Sequence, residues 1–307
     1  MYLLRFTGKT TQHDAGPGPM SRFFEQAKQE HAFRARTDSP RTEPAHSIMA
    51  QAESTATTTM SEAPHPIEQH LVSLLLPTSH EAEQYRTLRH VVERANRTSH
   101  LRVIGISSPG VGDGKTLTAI NLAGALAQGP QTRVLLIDFD LRHPMVGSHL
   151  ALTVEAGLAE ALSNPQRTLD DVVQINPTFN LAILPARRSI HETYELLNSE
   201  HCKGLIEAAR RQYDYVVLDL PSLIPAPDCQ VLEPLIDGFL IVVAAHKTPR
   251  KLLETTLDAM NPDKVIGLIF NGDDRALAGY AYAGNGHPAK HRGHRRRWFR
   301  SFRATTT

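Results

Sequence analysis

The stretch Ser107–Thr116, "SSPGVGDGKT", places three glycines close together and ends in Gly-Lys-Thr. It lies between an apolar run typical of a strand, "LRVIGISS", and a nearly all-apolar run typical of a helix, "TLTAINLAGALAQ". Glycines at a strand-to-helix turn let backbone N–H groups converge on an anion, and the helix adds its positive end. The stretch therefore predicts a phosphate-binding loop; the alternative is a glycine-rich turn that binds nothing.

One position departs from the strict pattern G-x-x-x-x-G-K-[ST], because Pro109 stands where glycine is expected. An extended residue at a strand exit tolerates proline, and the glycines nearest the lysine are kept. Lys115 is expected to reach the β- and γ-phosphates, and the Thr116 hydroxyl to ligate Mg²⁺. The predicted nucleotide-binding residues of the loop are Gly110, Val111, Gly112, Asp113, Gly114, Lys115, Thr116 and Leu117.

Apolar runs alternate with helical stretches along the rest of the domain. The further strand candidates are "TRVLLIDFD", "LAILPA", "YDYVVLDLP", "GFLIVVAAH" and "KVIGLIFNG". Continuous apolar strands that alternate with helices are typical of a sheet covered on both faces. We therefore predict an α/β fold with a doubly wound, mostly parallel sheet.

Composition divides the chain into three parts. Residues 1–66 are poor in aliphatic side chains, which predicts a largely disordered segment, with a short helix at 20–34. Residues 67–274 carry the predicted P-loop domain. Residues 275–307 lose the alternating pattern and are predicted to form a flexible basic tail.

Cysteine content and hydropathy indicate a cytoplasmic protein. Cys202 and Cys229 are too few for a disulfide framework and have no metal-site spacing, so we expect buried or reduced thiols. No run reaches the ~18 apolar residues that span a bilayer. The first residues lack the apolar stretch of a secretory signal. The net charge of +1 indicates no class of partner.

Acidic residues end two of the predicted strands. "RVLLIDFDLR" places Asp138 and Asp140 at one strand end, followed by Arg142, and "YDYVVLDLPS" places Asp219 at another. Ligands in such folds bind beyond the carboxyl ends of the strands. Acids beside a metal–phosphate cluster fit phosphoryl transfer, in which one positions the metal and one accepts a proton. The alternative for each acid alone is a helix N-cap.

These three motifs together resemble those of the bacterial tyrosine kinases of capsule and exopolysaccharide synthesis, P-loop proteins of the same branch as the Min and Par ATPases. The resemblance covers about residues 79–274, and Asp138-x-Asp140-x-Arg142 is its most specific element. It implies ATP and Mg²⁺ as cofactors. It also implies metal binding and base catalysis by Asp138 and Asp140, Mg²⁺ binding through water by Asp219, and an adenine contact by Asn271.

The family's oligomer helix, E-x-x-R-x-x-R, is similar to "EAEQYRTLR" here, with Glu83, Arg86 and Arg89. The resemblance implies a ring-like homo-oligomer and activation by a membrane adaptor of the chain-length regulator type. The stretch alone fits a solvated, salt-bridged face equally well. "MSRFFEQAKQE" resembles the amino-terminal helix of many such autokinases, which makes Met20 an alternative start of translation.

Tyrosines near the end of the chain are the expected phosphate acceptors. Family autokinases end in a dense tyrosine cluster, whereas this tail has only Tyr280 and Tyr282. The alternative is that both are incidental residues of a tail. Tyr85, Tyr213 and Tyr215 are weaker candidates, because they lie in or beside predicted helices and strands.

The basic end, "KHRGHRRRWFRSFR", interleaves arginines with three aromatic residues and has no acid. Contact with the anionic inner leaflet of the membrane or with the adaptor, and a solvated end, are both open; nucleic-acid binding is the weakest of the three. The predicted location is the cytoplasm, peripheral to the inner membrane through a partner.

The predicted function is an ATP- and Mg²⁺-dependent protein tyrosine autokinase that regulates polysaccharide synthesis or export. One alternative is a P-loop ATPase switch without kinase activity, and the thin tyrosine cluster is its main support. The other is a scaffold that binds nucleotide only to assemble. The extra loop lysine of the Min and Par ATPases is replaced by Gly110, which argues against a partitioning ATPase.

Overall fold

The computed structural model describes residues 2–5, 66–187, 193–223 and 228–272. Eight strands lie in these ranges: β1 (Tyr2–Arg5), β2 (Val103–Ser107), β3 (Val134–Asp138), β4 (Gln174–Asn176), β5 (Leu181–Leu184), β6 (Tyr215–Asp219), β7 (Gly238–Ala244) and β8 (Val265–Asn271). They form one sheet in the order β1-β8-β7-β2-β6-β3-β5-β4. The six central strands run parallel, while β1 and β4 pair antiparallel at the two edges.

Helices connect the parallel strands. Nine α-helices lie in the described ranges: α1 (Val72–Leu75), α2 (His80–Ser99), α3 (Lys115–Ala127), α4 (Val146–His149), α5 (Leu158–Ser163), α6 (Tyr194–Leu197), α7 (Glu200–Gln212), α8 (Asp228–Leu232) and α9 (Arg250–Asp258). Short 3₁₀ turns lie at Leu169–Asp171, Glu233–Leu235 and Pro262–Lys264. None of the helices within the described ranges is both long enough and apolar enough to cross a membrane.

Two hydrophobic cores cover the two faces of the sheet. Along β3, Leu135 and Ile137 enter the core that α7 and α9 complete, whereas Leu136 enters the core that α2 and α3 complete. Successive strand residues point to opposite faces, so a strand that is buried on both sides must be apolar at every position. This confirms the predicted doubly wound, mostly parallel α/β fold.

The six predicted strands are the six central parallel strands, and the two edge strands were not predicted. Strand β1 lies inside the segment 1–66, which the composition predicted to be largely disordered apart from a short helix at 20–34. The predicted helix at 20–34 lies outside the described residues. Strand β4 has only three residues, a length too short to show an alternation.

One predicted helical stretch, "TYELLNSEHCKGLIEAARRQ", is divided into α6 and α7. The break is at Ser199, whose hydroxyl accepts a hydrogen bond from the Cys202 N–H at 3.1 Å and so caps α7. Serine prefers this position because its oxygen satisfies one of the free N–H groups at a helix start.

Candidate active site

The phosphate loop connects the end of β2 to the start of α3. Gly112 and Gly114 adopt positive φ of 79° and 94°, conformations that favour glycine. Pro109 is buried directly after the strand, where no N–H donor is needed, and Leu223 N–H bonds the carbonyl of its neighbour Ser108 at 2.9 Å. The missing first glycine therefore does not disturb the loop.

The side chains predicted to line the loop differ in exposure. Asp113 is 3% exposed and Thr116 7% exposed, whereas Val111 is 80% exposed at the tip of the loop. Leu117 is half-buried against the core shared with α2. Neither side chain presents a polar group to a nucleotide, and the predicted nucleotide contacts of Val111 and Leu117 remain predictions.

Lys115 lies among the predicted carboxylates. Its Nζ donates to Asp140 Oδ2 at 2.7 Å and lies 3.8 Å from Asp219 Oδ1. Burial by itself lowers the pKa of Lys115, but the charges of Asp219 and Asp140 outweigh it and raise that pKa. The lysine therefore stays charged, as phosphate binding requires.

Asp138 and Asp219 end neighbouring parallel strands in register, and both are 0% exposed. The oxygens of Asp138 accept from the N–H groups of Asp140 at 3.2 Å, Met145 at 3.1 Å and Val146 at 3.0 Å. Asp138 thus supports the turn after β3 and the first residues of α4. The pKa of Asp138 is raised well above its usual range, first by burial and then by the charge of Asp219.

Asp219 differs from Asp138 because no backbone N–H group of the described residues donates to it. Both of its oxygens are buried, and neither accepts a hydrogen bond of normal distance and angle from the described residues, although the Thr116 hydroxyl lies close enough to lower its pKa. Burial raises its pKa to about 6, although Lys115 opposes the shift. A buried carboxylate without donors is costly unless something else binds it. A hard cation would satisfy these oxygens.

The donor set fits Mg²⁺ that is also held by phosphates. Asp219, at the end of β6, and the Thr116 hydroxyl, which lies beside it, could supply the oxygen ligands that Mg²⁺ prefers. Within the described ranges no three His, Cys, Asp or Glu side chains are arranged to hold a metal by themselves. Magnesium commonly binds one or two carboxylates together with nucleotide phosphates and water.

A second loop, between β7 and α9, touches the phosphate loop and was not predicted. Thr248 Oγ1 donates to Asp113 Oδ1 at 2.9 Å, and Lys247 Nζ donates to the Gly112 carbonyl at 3.3 Å. No motif marks these residues, because the sequence separation of 135 residues gives no local signal.

Asn271 at the end of β8 donates to the Asp113 carbonyl at 3.1 Å. Its observed contact is therefore with the loop, and its adenine contact remains a prediction.

Arg142, the last residue of the Asp-x-Asp-x-Arg motif, binds a buried acid. Its Nε donates to Asp228 Oδ2 at 2.9 Å, and the Thr193 hydroxyl donates to Asp228 Oδ1 at 2.9 Å. The pKa of Arg142 is raised by its hydrogen bond to Asp228. The cluster attaches the starts of α6 and α8 to the turn that carries Asp140. Asp228 and Thr193 were not predicted.

The predicted oligomer helix is α2. Glu83 and Arg86 form an ion pair on its surface, with 58% and 32% of their side chains exposed. Arg89 instead turns inward: its Nε donates to Glu93 at 2.6 Å and its NH1 to the Ala125 carbonyl at 3.1 Å. Arg89 therefore attaches α2 to the end of α3, and the interface role of all three residues remains a prediction.

The predicted acceptors Tyr280 and Tyr282, and the basic tail, lie outside the described residues. Tyr194 is 51% exposed, whereas Tyr215 is 8% exposed.

Cys202 and Cys229 are free and buried, as predicted, and burial raises the pKa of both thiols to about 12. The Cys229 thiol donates to the Pro221 carbonyl at 3.4 Å beneath the site, so it is a structural residue.

Comparison with known proteins places this site in a family. The AAA_31 family, described as an AAA domain, matches residues 101–235, which contain the phosphate loop and all three strand-end acids. Tyrosine-protein kinase YwqD of Bacillus subtilis (strain 168) is 32% identical over 208 residues, or 67% of this chain and 87% of that protein. The chain belongs to the bacterial tyrosine kinase family.

The chain spans only about a quarter of one longer relative that it matches. The succinoglycan biosynthesis transport protein ExoP of Rhizobium meliloti (strain 1021) is 36% identical over 203 residues, which are 64% of this chain but only 26% of ExoP. Among solved structures, the BceF tyrosine kinase domain is 28% identical, with a TM-score of 0.59, over 66% of this chain and 81% of that one. The kinase domain of Escherichia coli ETK, at 24% identity, has the same fold, with a TM-score of 0.64 over 74% of this chain and 89% of that one.

Proposed function

We propose that this bacterial tyrosine kinase is an ATP- and Mg²⁺-dependent protein tyrosine autokinase, which regulates the synthesis or export of an exopolysaccharide or capsule together with a membrane adaptor. The observation that carries the proposal is the buried Asp219 carboxylate, which accepts no hydrogen bond of normal distance and angle from the described residues and has an oxygen 3.8 Å from the Nζ of the loop lysine. The name of ExoP, a succinoglycan biosynthesis transport protein, supports the polysaccharide role. The adaptor rests on the family resemblance.

The loop and Lys115 bind the phosphates in this proposal. The N–H groups of the residues around Gly112 and Gly114, together with the start of α3, provide donors and a positive end for an anion. Lys115 is held near this position by Asp140 and exchanges that contact for a phosphate oxygen. Thr116 and Asp219 would hold Mg²⁺, and the bound ion would supply positive charge opposite the transferred phosphoryl group.

Asp140 is the better candidate for the general base. Asp138 already accepts three N–H bonds and is 0% exposed, whereas Asp140 is 4% exposed and bonds the movable amine of Lys115. Asp140 Oδ2 accepts the proton of a tyrosine hydroxyl. At the same time the tyrosine oxygen forms a bond to the γ-phosphorus of ATP, and the bond from that phosphorus to ADP breaks. Asp138 then acts by holding the turn that carries Asp140.

The proposed acceptors are Tyr280 and Tyr282 of a neighbouring subunit in a ring-like homo-oligomer. Transfer between subunits fits a site at the carboxyl edge of the sheet, because Val111 at the tip of the loop is 80% exposed there. On the surface of α2, Glu83 is exposed and Arg86 is partly exposed. The family resemblance assigns both residues to the interface between subunits.

The test is phosphotyrosine formation by the full chain with Mg·ATP, followed by mass-spectrometric mapping. Lys115→Met is expected to abolish it, and the matched control Lys203→Met is expected to keep it, because Lys203 bonds Glu200 on the surface of α7. Tyr280→Phe with Tyr282→Phe should remove most of the label. Phosphate found instead on Tyr194 would overturn the assigned acceptors but not the activity.

The two alternatives predict different results in the same experiment. ATP hydrolysis without phosphotyrosine, both alone and with an adaptor fragment, would replace the kinase with an ATPase switch. Nucleotide-dependent assembly without hydrolysis or phosphotyrosine would favour the scaffold.

A further inference from the structure

The turn between β7 and α9 holds Thr248 against the phosphate loop. The Thr248 hydroxyl accepts a hydrogen bond from the Ala244 N–H at 3.0 Å, and it donates its own hydrogen to Asp113 Oδ1 at 2.9 Å. A hydroxyl has one hydrogen to donate, so both of these contacts are made at once without competition. The turn therefore directs the Thr248 hydrogen at the loop.

Asp113 is one of the residues through which the loop bonds its surroundings, beside the Gly112 carbonyl that accepts from Lys247. Its side chain is nearly buried, and Oδ2 accepts the Gly110 N–H at 3.0 Å. Its carbonyl accepts the Asn271 amide at 3.1 Å. Each carboxylate oxygen thus has one neutral donor, and the Thr248 contact is the one that joins the loop carboxylate to another part of the fold.

We propose that Thr248 is a positioning residue for nucleotide binding: through Asp113 it holds the phosphate loop in the conformation that binds phosphate. This inference rests on the nucleotide-binding part of the proposed function. Glycine-rich loops have many accessible conformations, and ordering one of them in advance lowers the entropic cost of binding. A hydrogen bond to a carboxylate is strong enough to supply such ordering.

The geometry also says how Thr248 acts. Among the described residues its hydroxyl has two partners, the Ala244 N–H and the Asp113 carboxylate, and a carboxylate offers no hydrogen to a phosphate. The route from the Thr248 hydroxyl to the loop is therefore the Asp113 carboxylate, whereas the neighbouring Lys247 reaches the Gly112 carbonyl through its own Nζ. This distinguishes a positioning residue from a residue that touches the nucleotide, and it can be measured as coupling between two substitutions.

The experiment measures the binding of Mg·ADP to the full chain by calorimetry, with thermal unfolding recorded for each variant. Thr248→Val keeps the shape and removes the hydroxyl, and we expect about tenfold weaker binding. Thr248→Ser restores the hydroxyl and should bind within about twofold of the original chain. The matched control is Thr255→Val, because the Thr255 hydroxyl bonds only the Lys251 carbonyl within α9, at 2.9 Å.

A double-mutant cycle between Thr248 and Asp113 tests whether Thr248 acts on nucleotide binding through the Asp113 carboxylate. Asp113→Asn removes one of the two acceptor oxygens and should weaken binding to a similar extent, and Thr248→Val added to it should weaken binding by less than about twofold more. In the kinase assay Thr248→Val should raise the KM for ATP and leave kcat nearly unchanged. A purely structural role would lower the amount of folded protein without this separation.

Three results would overturn the inference: unchanged Mg·ADP affinity in Thr248→Val, independent and additive losses with Asp113→Asn, or no rescue by serine. If Thr248→Val does not fold, Asp113→Asn alone decides, since unchanged affinity there also contradicts the proposal. Nucleotide binding is measured without tyrosine phosphorylation. A chain that binds Mg·ADP but forms no phosphotyrosine would therefore lose the proposed kinase activity and keep this inference.

Discussion

The ends of β3 and β6 differ in a way that their sequences do not suggest. Each strand ends in a buried aspartate, and Asp138 and Asp219 are paired in register on neighbouring strands. Asp138 accepts three backbone N–H bonds, whereas Asp219 accepts none from the described residues. Two similar motifs thus produce one carboxylate that supports a turn and one that is available to a ligand.

The backbone after each strand sets the role of the acid at its end. After β3, residues 139–145 form a turn that leads into α4 and directs the N–H groups of Met145 and Val146 at Asp138. After β6 the chain continues through Pro221, which has no N–H to donate. The turn that follows a strand therefore deserves the same attention as the acid at its end.

The strongest test of this comparison is Asp219→Asn. Loss of the charge that holds Mg²⁺ is expected to slow phosphotyrosine formation by about 100-fold or more. The free energy of unfolding should stay the same or rise, because a buried carboxylate without donors is removed. Rate assays with Mg·ATP and urea unfolding give the two values. Lower stability with retained activity would reverse the roles of the two acids.

Asp138→Asn should have its main effect on stability. An amide offers one acceptor oxygen instead of two, so at least one of the N–H groups of Asp140, Met145 and Val146 loses its partner. The expected loss in the free energy of unfolding is about 1–3 kcal/mol. Urea titration compares it with Asp219→Asn measured in parallel. A midpoint equal to that of the original chain would show that the N–H bonds to Asp138 contribute little.

The smallest effect concerns pH. The pKa of Asp219 is raised by burial from 3.8 to about 6, so the folded state keeps a proton that the unfolded state releases between these values. This contribution to stability is present below about pH 4 and is lost as pH rises through about 6. We expect the difference in unfolding free energy between Asp219→Asn and the original chain to grow by about 1–2 kcal/mol over this range.

The measurement for this prediction is urea unfolding at several pH values between 4 and 7, in the absence of Mg²⁺ and nucleotide. The paired comparison cancels the contributions of carboxylates whose pKa is lowered on folding. Asp214 is an example, because burial raises its pKa but its hydrogen bonds to Arg133 lower it by more. If plots of unfolding free energy against pH stay parallel for Asp219→Asn and the original chain, Asp219 does not titrate in this range.

Much of the fold could be predicted because the central strands carry their own signal. A parallel strand covered on both faces is apolar at nearly every position, as in β2 and β6, so its sequence alone identifies it. The edge strands β1 and β4 lack this requirement, and pairing decides them: β1 pairs with the distant β8, and β4 pairs with β5, the next strand along the chain. Likewise, Ser199 divides α6 from α7 because its hydroxyl caps a helix, a local effect hidden inside a continuous helical pattern.

The candidate site divides in the same way. The loop from Gly110 to Thr116 could be predicted, because binding phosphate requires glycines and a lysine at fixed spacing along the chain. Arg89 could not be assigned from the chain alone, because an arginine on a helix surface and one that bonds a neighbouring helix share the same spacing. The contact of Asn271 with the loop also depends on the order of strands in the sheet.

The sequence by itself determined the layered α/β architecture, the phosphate loop and the three acids at strand ends, since each depends on residues that are neighbours along the chain. Only the tertiary structure decided which acid is satisfied, which is available, and that Thr248 meets Asp113. Those outcomes depend on the directions of N–H and O–H groups from segments far apart in sequence, and hydrogen bonds act only where distance and angle bring such groups together.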